Sequence, residues 1–263
     1  MKKNLEIAIL ASVEAGEAII QVYNSDDFNV EIKDDNSPLT IADKKANDII
    51  NRYLDQTDIP IISEENKQLP FSIRKDWSSC WIVDPLDGTK EFIKRNGEFT
   101  VNIALVKEGK PILGVIYVPV SKTLYYTSGD SKSYKITLEN TNCTLDYIIR
   151  NASEISPIKN IEPPVLIVGS RSHLNDDTKN FISEIEKNND VAIVSKGSSL
   201  KFCLVAEGSA HLYPRFAPTM EWDTAAGHAI CRNVGVKVID QTTAKEMKYN
   251  KSNLLNNYFV VKL

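Results

Sequence analysis

The sequence is poor in cysteine, has no surplus of basic residues and contains no long apolar run. Its 263 residues include four cysteines and no CxxC pair, so we expect reduced thiols in a cytoplasmic protein and no disulfide framework. Lys and Arg number 31 against 35 Asp and Glu, for a net charge of −4. This balance excludes the basic surface that holds a protein on a nucleic acid polymer. No apolar run approaches the roughly 18 residues of a membrane span.

The apolar pattern divides the chain into two halves of different architecture. Helical spacing comes first and strand-like runs follow, with helices over 5–23 and from 40 to 54 and strands over 81–83, 99–106 and 111–118. A polar stretch over 128–162 shows no period, and we expect it to be a connection. Strands and helices then alternate, which is typical of an α/β layer. We therefore expect an α+β domain over residues 1–162 and an α/β domain over 163–263.

Two aspartates lie where a buried strand meets a turn, in the segment Asp84-Pro85-Leu86-Asp87-Gly88-Thr89. We expect Pro85 to end the strand and Gly88-Thr89 to begin a helix. Carboxylates beside the free N–H groups of a helix start suit a hard ion such as Mg²⁺ and a phosphate group. An Asp-Gly turn with Asp84 as a helix cap explains the same residues equally well.

Acids also adjoin other predicted elements. Glu64 follows the apolar run 59–62, and Asp223 stands at the start of a predicted helix. Each has a simpler explanation, because Glu64-Glu65 fits a solvated charge pair, Asp223 fits an N-cap, and Thr40 to Asp43 fits a capping box. From the residues alone, these acids indicate metal-assisted phosphate chemistry without excluding ordinary turns and caps.

Taken together, these motifs resemble those of a known enzyme family. Asp84 to Thr89, with Glu64-Glu65 upstream and the Trp222-Asp223 segment downstream, resembles the signature of the inositol monophosphatase superfamily of Mg²⁺-dependent, lithium-sensitive phosphatases. The segments 88–100 and 197–203 are most similar to the CysQ-type 3'(2'),5'-bisphosphate nucleotidases within it. The resemblance covers almost the whole chain. It implies the layered sugar-phosphatase sandwich, with an α+β first domain and an α/β second domain.

The resemblance also implies roles for individual residues. It makes Glu64, Asp84, Asp87 and Asp223 side-chain ligands of two or three Mg²⁺ ions, with the backbone carbonyl of Leu86 as a further ligand. Thr89 and Glu64 would orient and deprotonate a water, and Asp43 would lie near an additional metal site. The implied substrate contacts are Glu64, Leu86, Asp87, Gly88, Thr89, His173, Ser198, Lys201, Arg215 and Asp223.

The implied reaction is hydrolysis of the 3'-phosphate of adenosine 3',5'-bisphosphate to AMP and phosphate, a step of sulfur metabolism. The expected partner is therefore a small nucleotide bisphosphate. A broader phosphatase of inositol phosphates or fructose 1,6-bisphosphate is one alternative, and a nucleotide sensor without turnover is another. The resemblance allows a peripheral contact at the inner membrane, which nothing in the composition favours, and the oligomeric state stays open.

Overall fold

The structure, a computed structural model, describes residues 1–25, 31–32, 38–160, 162–169 and 175–263. The α-helices are α1 (Lys2–Tyr23), α2 (Ile41–Leu54), α3 (Phe71–Arg74), α4 (Thr89–Ile93), α5 (Leu145–Asn151), α6 (Asp176–Glu186), α7 (Leu200–Ala206) and α8 (Ala225–Asn233). The strands are β1 (Glu31–Ile32), β2 (Pro38–Leu39), β3 (Ile61–Ser63), β4 (Ser79–Asp87), β5 (Thr100–Lys107), β6 (Lys110–Val118), β7 (Thr123–Thr127), β8 (Ser133–Thr137), β9 (Ser153–Glu154), β10 (Val165–Gly169), β11 (Val191–Ser195), β12 (Tyr213–Arg215), β13 (Lys237–Asp240) and β14 (Phe259–Lys262). Within these ranges, no helix combines the length and the apolar character needed to cross a membrane.

A seven-stranded sheet forms the centre of the molecule, in the order β3-β4-β5-β6-β7-β8-β9. Strand β3 runs parallel to β4, and the other neighbouring pairs are antiparallel. The strands predicted over 99–106 and 111–118 are confirmed as β5 and β6, which form an antiparallel hairpin. The expectation of an irregular connection over 128–162 is wrong, because this stretch supplies β8, α5 and β9. Strand β8 buries only Ser133 and Ile136, and β9 is exposed, so neither shows an apolar alternation in the sequence.

Helices cover both faces of this sheet. In β4, Trp81 and Val83 belong to a hydrophobic cluster with α1 and α2, whereas Cys80 and Ile82 belong to a second cluster with α7 and α8. This alternation follows from the two-residue period of a strand. The result is a layered α–β–α sandwich, as expected, in which helices from the second half of the chain cover a sheet from the first.

Helix α8 approaches the sheet closely at Gly114 of β6. A Cβ at this position would collide with the carbonyl oxygen of Ala226 and would lie 2.8 Å from the Cβ of Ala229. The missing side chain therefore sets the distance between α8 and β6. Because Asp223 lies just before α8, this contact also fixes the position of that acid relative to the sheet.

The second half of the chain forms two smaller sheets. Strands β10 and β11 form a parallel pair, as the alternating pattern predicts. Strand β14 lies between β12 and β13 and is antiparallel to both, so this layer is not uniformly parallel. The reason is that no helix connects β13 to β14, and a parallel pair needs a crossover connection. The division into domains at 162/163 stays a prediction.

Candidate active site

Asp84 and Asp87 flank a β-bulge in β4. Between the pairs Asp84–Asn102 and Asp87–Thr100, two residues of β4 lie opposite one residue of β5. Side chains three apart on a regular strand point to opposite faces, and the extra residue of a bulge brings them to the same side. The expectation that Pro85 ends the strand is wrong. The strand continues to Asp87 because a bulge tolerates a residue without an N–H donor.

Glu64 lies beside Asp84 because β3 and β4 are parallel. The register pairs Ser63 with Val83, and the N–H of Glu64 donates to the carbonyl of Val83 at 3.1 Å. Burial raises the pKa of Asp84 well above its ordinary value, and neighbouring negative charges raise it further, namely those of Glu64, Asp87, Asp223 and Asp43. The acids expected at a metal site therefore surround Asp84 closely enough to repel its charge.

Asp84 makes a turn contact, and neither Asp84 nor Asp223 caps a helix. Oδ1 of Asp84 accepts the N–H of Leu86 at 3.1 Å, which is an ordinary turn contact, but the N-cap of α4 is Gly88. The N-cap of α8 is Thr224, so Asp223 does not cap that helix. Oδ2 of Asp223 instead accepts the N–H of Met220 at 2.8 Å.

The carboxyl of Asp223 shares the electrostatic environment of Asp84. Burial raises the pKa of Asp223 to about 8, and the charge of Asp87 adds to this effect. The N–H of Met220 and the charge of Arg215 act in the opposite direction. Asp223 therefore lies between the acids of the central sheet and a cation of the second half.

Asp43 forms hydrogen bonds with Thr40 and with Thr89. It completes the predicted capping box of α2, where its Oδ2 accepts the N–H of Thr40 at 2.7 Å and the Thr40 hydroxyl at 2.6 Å. Its Oδ1 accepts the hydroxyl of Thr89 at 3.2 Å. The carbonyl of Leu86 is 3.3 Å from the same hydroxyl, but a carboxylate is the stronger acceptor. Asp43 is therefore both a helix cap and a partner of Thr89.

The chemistry of these carboxylates suits a divalent cation. Asp84 uses only Oδ1, and Asp87 and Asp223 use only Oδ2, for hydrogen bonds to the described residues. Carboxylate oxygen is the ligand that hard divalent ions prefer, and an ion would relieve the repulsion around Asp84. As the side chains stand, no three His, Cys, Asp or Glu residues of the described ranges form a group that could hold an ion. Ligation therefore requires the carboxylates to turn toward it.

A cleft of about 370 Å³ lies beside these acids, within the size range of small-molecule sites. The structure brings six of the predicted residues to its lining, which are Asp87, Gly88, Ser198, Lys201, Arg215 and Asp223. Glu64, Asp84, Asp43, Leu86 and Thr89 are not among its lining residues. The Leu86 side chain is buried in the core, as expected for a residue that would use only its carbonyl. His173 lies outside the described residues.

Ser198 connects the acids to the basic side of the cleft. Oδ2 of Asp87 accepts the Ser198 hydroxyl at 2.7 Å and the Ser199 N–H at 2.6 Å. On the other side, Nζ of Lys201 donates to the Ser198 carbonyl at 2.9 Å. Ser198 has a φ of 54°, which is unfavourable for a residue with a Cβ. The hydrogen bonds on both sides hold this conformation.

Lys201 and Arg215 bring positive charge to the cleft. Burial lowers the pKa of Lys201 to about 8; the charge of Asp87 opposes this shift, and that of Arg215 adds to it. Nη2 of Arg215 donates to the carbonyl of Pro218 at 3.2 Å, while its buried Nε has no hydrogen-bond partner among the described residues. A buried donor without an acceptor is costly. An anionic oxygen in the cleft would satisfy it.

Glu98 and Lys196 line the same cleft and were not predicted. Glu98 is buried, and its Oε2 accepts the N–H of Gly197 at 2.9 Å. Its Oε1 lies 3.3 Å from Nζ of Lys196. The signal available in the sequence was an acid next to an apolar run, as at Glu64. Lys196 offers no comparable signal, because an isolated lysine is usually a solvated cation.

Comparison with known proteins gives one consistent group. Residues 1–258 match the model of the inositol monophosphatase family. The chain is 46% identical over 229 residues to the 3'(2'),5'-bisphosphate nucleotidase CysQ of Salmonella typhimurium, and this match covers 86% of each protein. The crystal structure of CysQ from Bacteroides thetaiotaomicron matches with a TM-score of 0.88 and 48% identity, over 98% of this chain and 96% of that one. An IMPase of Thermotoga maritima matches with a TM-score of 0.76 and 25% identity, over 100% and 92%.

Proposed function

This chain belongs to the inositol monophosphatase family, and we propose that it is a Mg²⁺-dependent phosphatase that hydrolyses the 3'-phosphate of adenosine 3',5'-bisphosphate to AMP and phosphate. The observation that carries the proposal is that acids suited to a metal and cations suited to a second phosphate line one cleft. These are Asp87 and Asp223 on one side and Lys201 and Arg215 on the other. The name of the Salmonella typhimurium relative supports the same substrate class.

The proposed ligands of two or three Mg²⁺ ions are the carboxylates of Glu64, Asp84, Asp87 and Asp223 and the carbonyl of Leu86. When bound, such ions lower the pKa of water and neutralise phosphoryl oxygens. The protein contributes a buried carboxylate, Asp84, whose charge is repelled by those of Glu64, Asp87, Asp223 and Asp43. Ion binding therefore replaces repulsion with attraction at this end of β4.

The attacking water is positioned by Thr89 and Glu64 in this proposal. Because the proton of the Thr89 hydroxyl points to Asp43, the lone pairs of Oγ1 are free to accept a proton of the water. The carboxylate of Glu64 then takes the proton that the water loses as its oxygen bonds to phosphorus. The bond from phosphorus to the ribose 3'-oxygen breaks, and that oxygen takes a proton from solvent to give AMP. No covalent intermediate with the protein is required.

The rest of the nucleotide is held by the second half of the chain. Lys201 and the Nε of Arg215, which has no acceptor among the described residues, would bind the phosphate that is not hydrolysed. The N–H groups of Gly88 and Thr89 would bind the phosphate that is hydrolysed, and Ser198 and His173 would make further contacts. Inositol 1-phosphate has only one phosphate and would leave these cations unmatched, which disfavours a substrate with a single phosphate.

Steady-state release of phosphate tests the proposal. We expect kcat/KM for adenosine 3',5'-bisphosphate to exceed that for inositol 1-phosphate and for fructose 1,6-bisphosphate at saturating Mg²⁺. Faster hydrolysis of either sugar phosphate would overturn the substrate assignment. Nucleotide binding without any release of phosphate would instead identify a sensor. Asp87→Asn should abolish hydrolysis, and unchanged turnover in this variant would remove the metal role of Asp87.

A further inference from the structure

We infer that Thr100 is a positioning residue for the divalent ion, acting on Asp87 through Ser198 and Ser199, an inference that rests on the metal role proposed for Asp87. Thr100 lies in β5 directly opposite Asp87, is fully buried and does not line the cleft. It therefore acts on the site only through its neighbours. Neither the metal-ligand set nor the substrate contacts proposed above include it.

The hydroxyl of Thr100 contacts both serines that hold Asp87. Oγ1 of Thr100 lies 2.6 Å from Oγ of Ser198 and 2.8 Å from Oγ of Ser199. It also lies 3.1 Å from Oδ1 of Asn102. Asn102 completes the group, because its Nδ2 lies 3.4 Å from Oδ2 of Asp87. The Thr100 hydroxyl thus connects Asn102 to the turn formed by Ser198 and Ser199, which we call the serine turn. All three of these residues donate hydrogen bonds to the carboxylate of Asp87.

Each hydroxyl of this network has one proton, which determines the direction of the hydrogen bonds between them. Ser198 has one hydroxyl proton, and the carboxylate of Asp87 is its strongest acceptor. The Oγ of Ser198 must then accept in its contact with Thr100, so the Thr100 proton points to Ser198. Ser199 donates either to Thr100 or to Oδ1 of Asn102, which is 2.7 Å away. Each donation polarises the next, and the chain of hydroxyls ends on Asp87.

Loss of the Thr100 hydroxyl would remove its contacts with the hydroxyls of Ser198 and Ser199. Ser198 would keep its strained φ of 54° with one anchor fewer, and its hydroxyl would no longer be polarised toward Asp87. The carboxylate would then have to be ordered when the ion binds, which lowers affinity. The cost of one hydrogen bond corresponds to a factor of about three to ten in an equilibrium constant.

Direct titration of the purified protein with Mn²⁺, followed by electron paramagnetic resonance without nucleotide, tests the inference. We expect Thr100→Val to weaken Mn²⁺ binding and to lower kcat by about threefold to tenfold each. Thr100→Ser keeps the hydroxyl and should bind Mn²⁺ within about twofold of the parent protein. Thr123→Val is the matched control, because Thr123 is also a buried threonine of this sheet but its hydroxyl bonds to Ser121 and Thr137.

The outcomes separate the two proposals. Unchanged Mn²⁺ affinity in Thr100→Val, or an equal loss in Thr100→Ser, would overturn the role of the hydroxyl. Absence of Mn²⁺ binding in the parent protein would overturn the proposed function itself. If Thr100→Val does not fold, Ser199→Ala replaces it, because loss of that hydroxyl lets the Thr100 proton turn to Asn102. Full Mn²⁺ affinity in Ser199→Ala would then overturn the inference.

Discussion

The hydroxyl of Thr89 donates to Oδ1 of Asp43, a residue 46 positions earlier in the chain, at 3.2 Å. The bond joins the start of α4 to the first turn of α2. Since the other oxygen of Asp43 is held by Thr40, one carboxylate serves both a helix cap and a residue of the proposed reaction. Substitution of Asp43 therefore affects stability and turnover through different oxygens.

Asp43→Asn should lower kcat by about 100-fold while changing KM little, because an amide cannot accept the Thr89 proton with the strength of a carboxylate. The free energy of unfolding should fall by about 1 kcal/mol or less, since the amide oxygen still accepts the Thr40 N–H. Steady-state kinetics and urea denaturation measure the two effects. Asp176→Asn, an exposed acid in the first turn of α6, is the control. A kcat loss below twofold would mean that Asp43 is only a cap.

Asp84→Asn should stabilise the protein when no divalent ion is present. The substitution removes a buried negative charge that Glu64, Asp87, Asp223 and Asp43 repel. We expect thermal melting in EDTA to rise by about 2–4 °C, which corresponds to about 1 kcal/mol in a protein of this size. Addition of Mg²⁺ should raise the melting temperature of the parent protein much more than that of the variant. An equal Mg²⁺ effect in both would exclude Asp84 as a ligand.

The pH dependence of kcat/KM should reflect the loss of the proton from the ammonium group of Lys201. Burial lowers the pKa of Lys201 to about 8, so its ammonium is charged below this pH and loses its proton as the pH rises through it. Binding of an anionic substrate should therefore weaken above about pH 8, and kcat/KM at saturating Mg²⁺ should fall there. Lys201→Met should show a lower plateau without this fall. If the fall persists unchanged in the variant, another group causes it.

Gly114→Ala should destabilise the protein by about 1–3 kcal/mol, because the new methyl group meets the backbone of Ala226, which cannot move aside as a flexible side chain can. Gly129→Ala is the matched control, since a Cβ at Gly129 meets nothing within 4 Å. Neither glycine has a positive φ, so backbone strain does not distinguish them. Equal melting temperatures for the two variants would show that α8 can shift without cost.

Sequence patterns predicted the elements with strong periodicity. Helix α1 and strands β5 and β6 follow from the spacing of apolar residues along the sequence. Strand β8 was missed because it buries a serine, and the position of β14 between β12 and β13 depends on a long irregular connection. Local propensity does not determine such pairings.

At the candidate site, the sequence indicates the acidic residues but not the residues that hydrogen-bond around them. Asp84 and Asp87 stand out because carboxylates beside a buried strand are unusual. Thr100 and Asn102 occupy alternate positions of β5, where polar residues usually face solvent. The contacts of Thr100 with Ser198 and of Asn102 with Ser199 depend on how residues 98 and 97 positions apart pack together. A single sequence contains no signal for such a distance.

The contact of Gly114 with Ala226 has a consequence for how the cleft admits its ligand. The backbone of Ala226 in α8 packs directly against the backbone of Gly114 in β6, which has no side chain. One hydrophobic cluster continues from β4 through β6 into α7 and α8. A hinge motion that separated the two halves would have to break this cluster. We therefore expect the cleft to open by movement of side chains and turns at its rim, and the walls that carry Asp87 and Asp223 to keep their positions relative to each other.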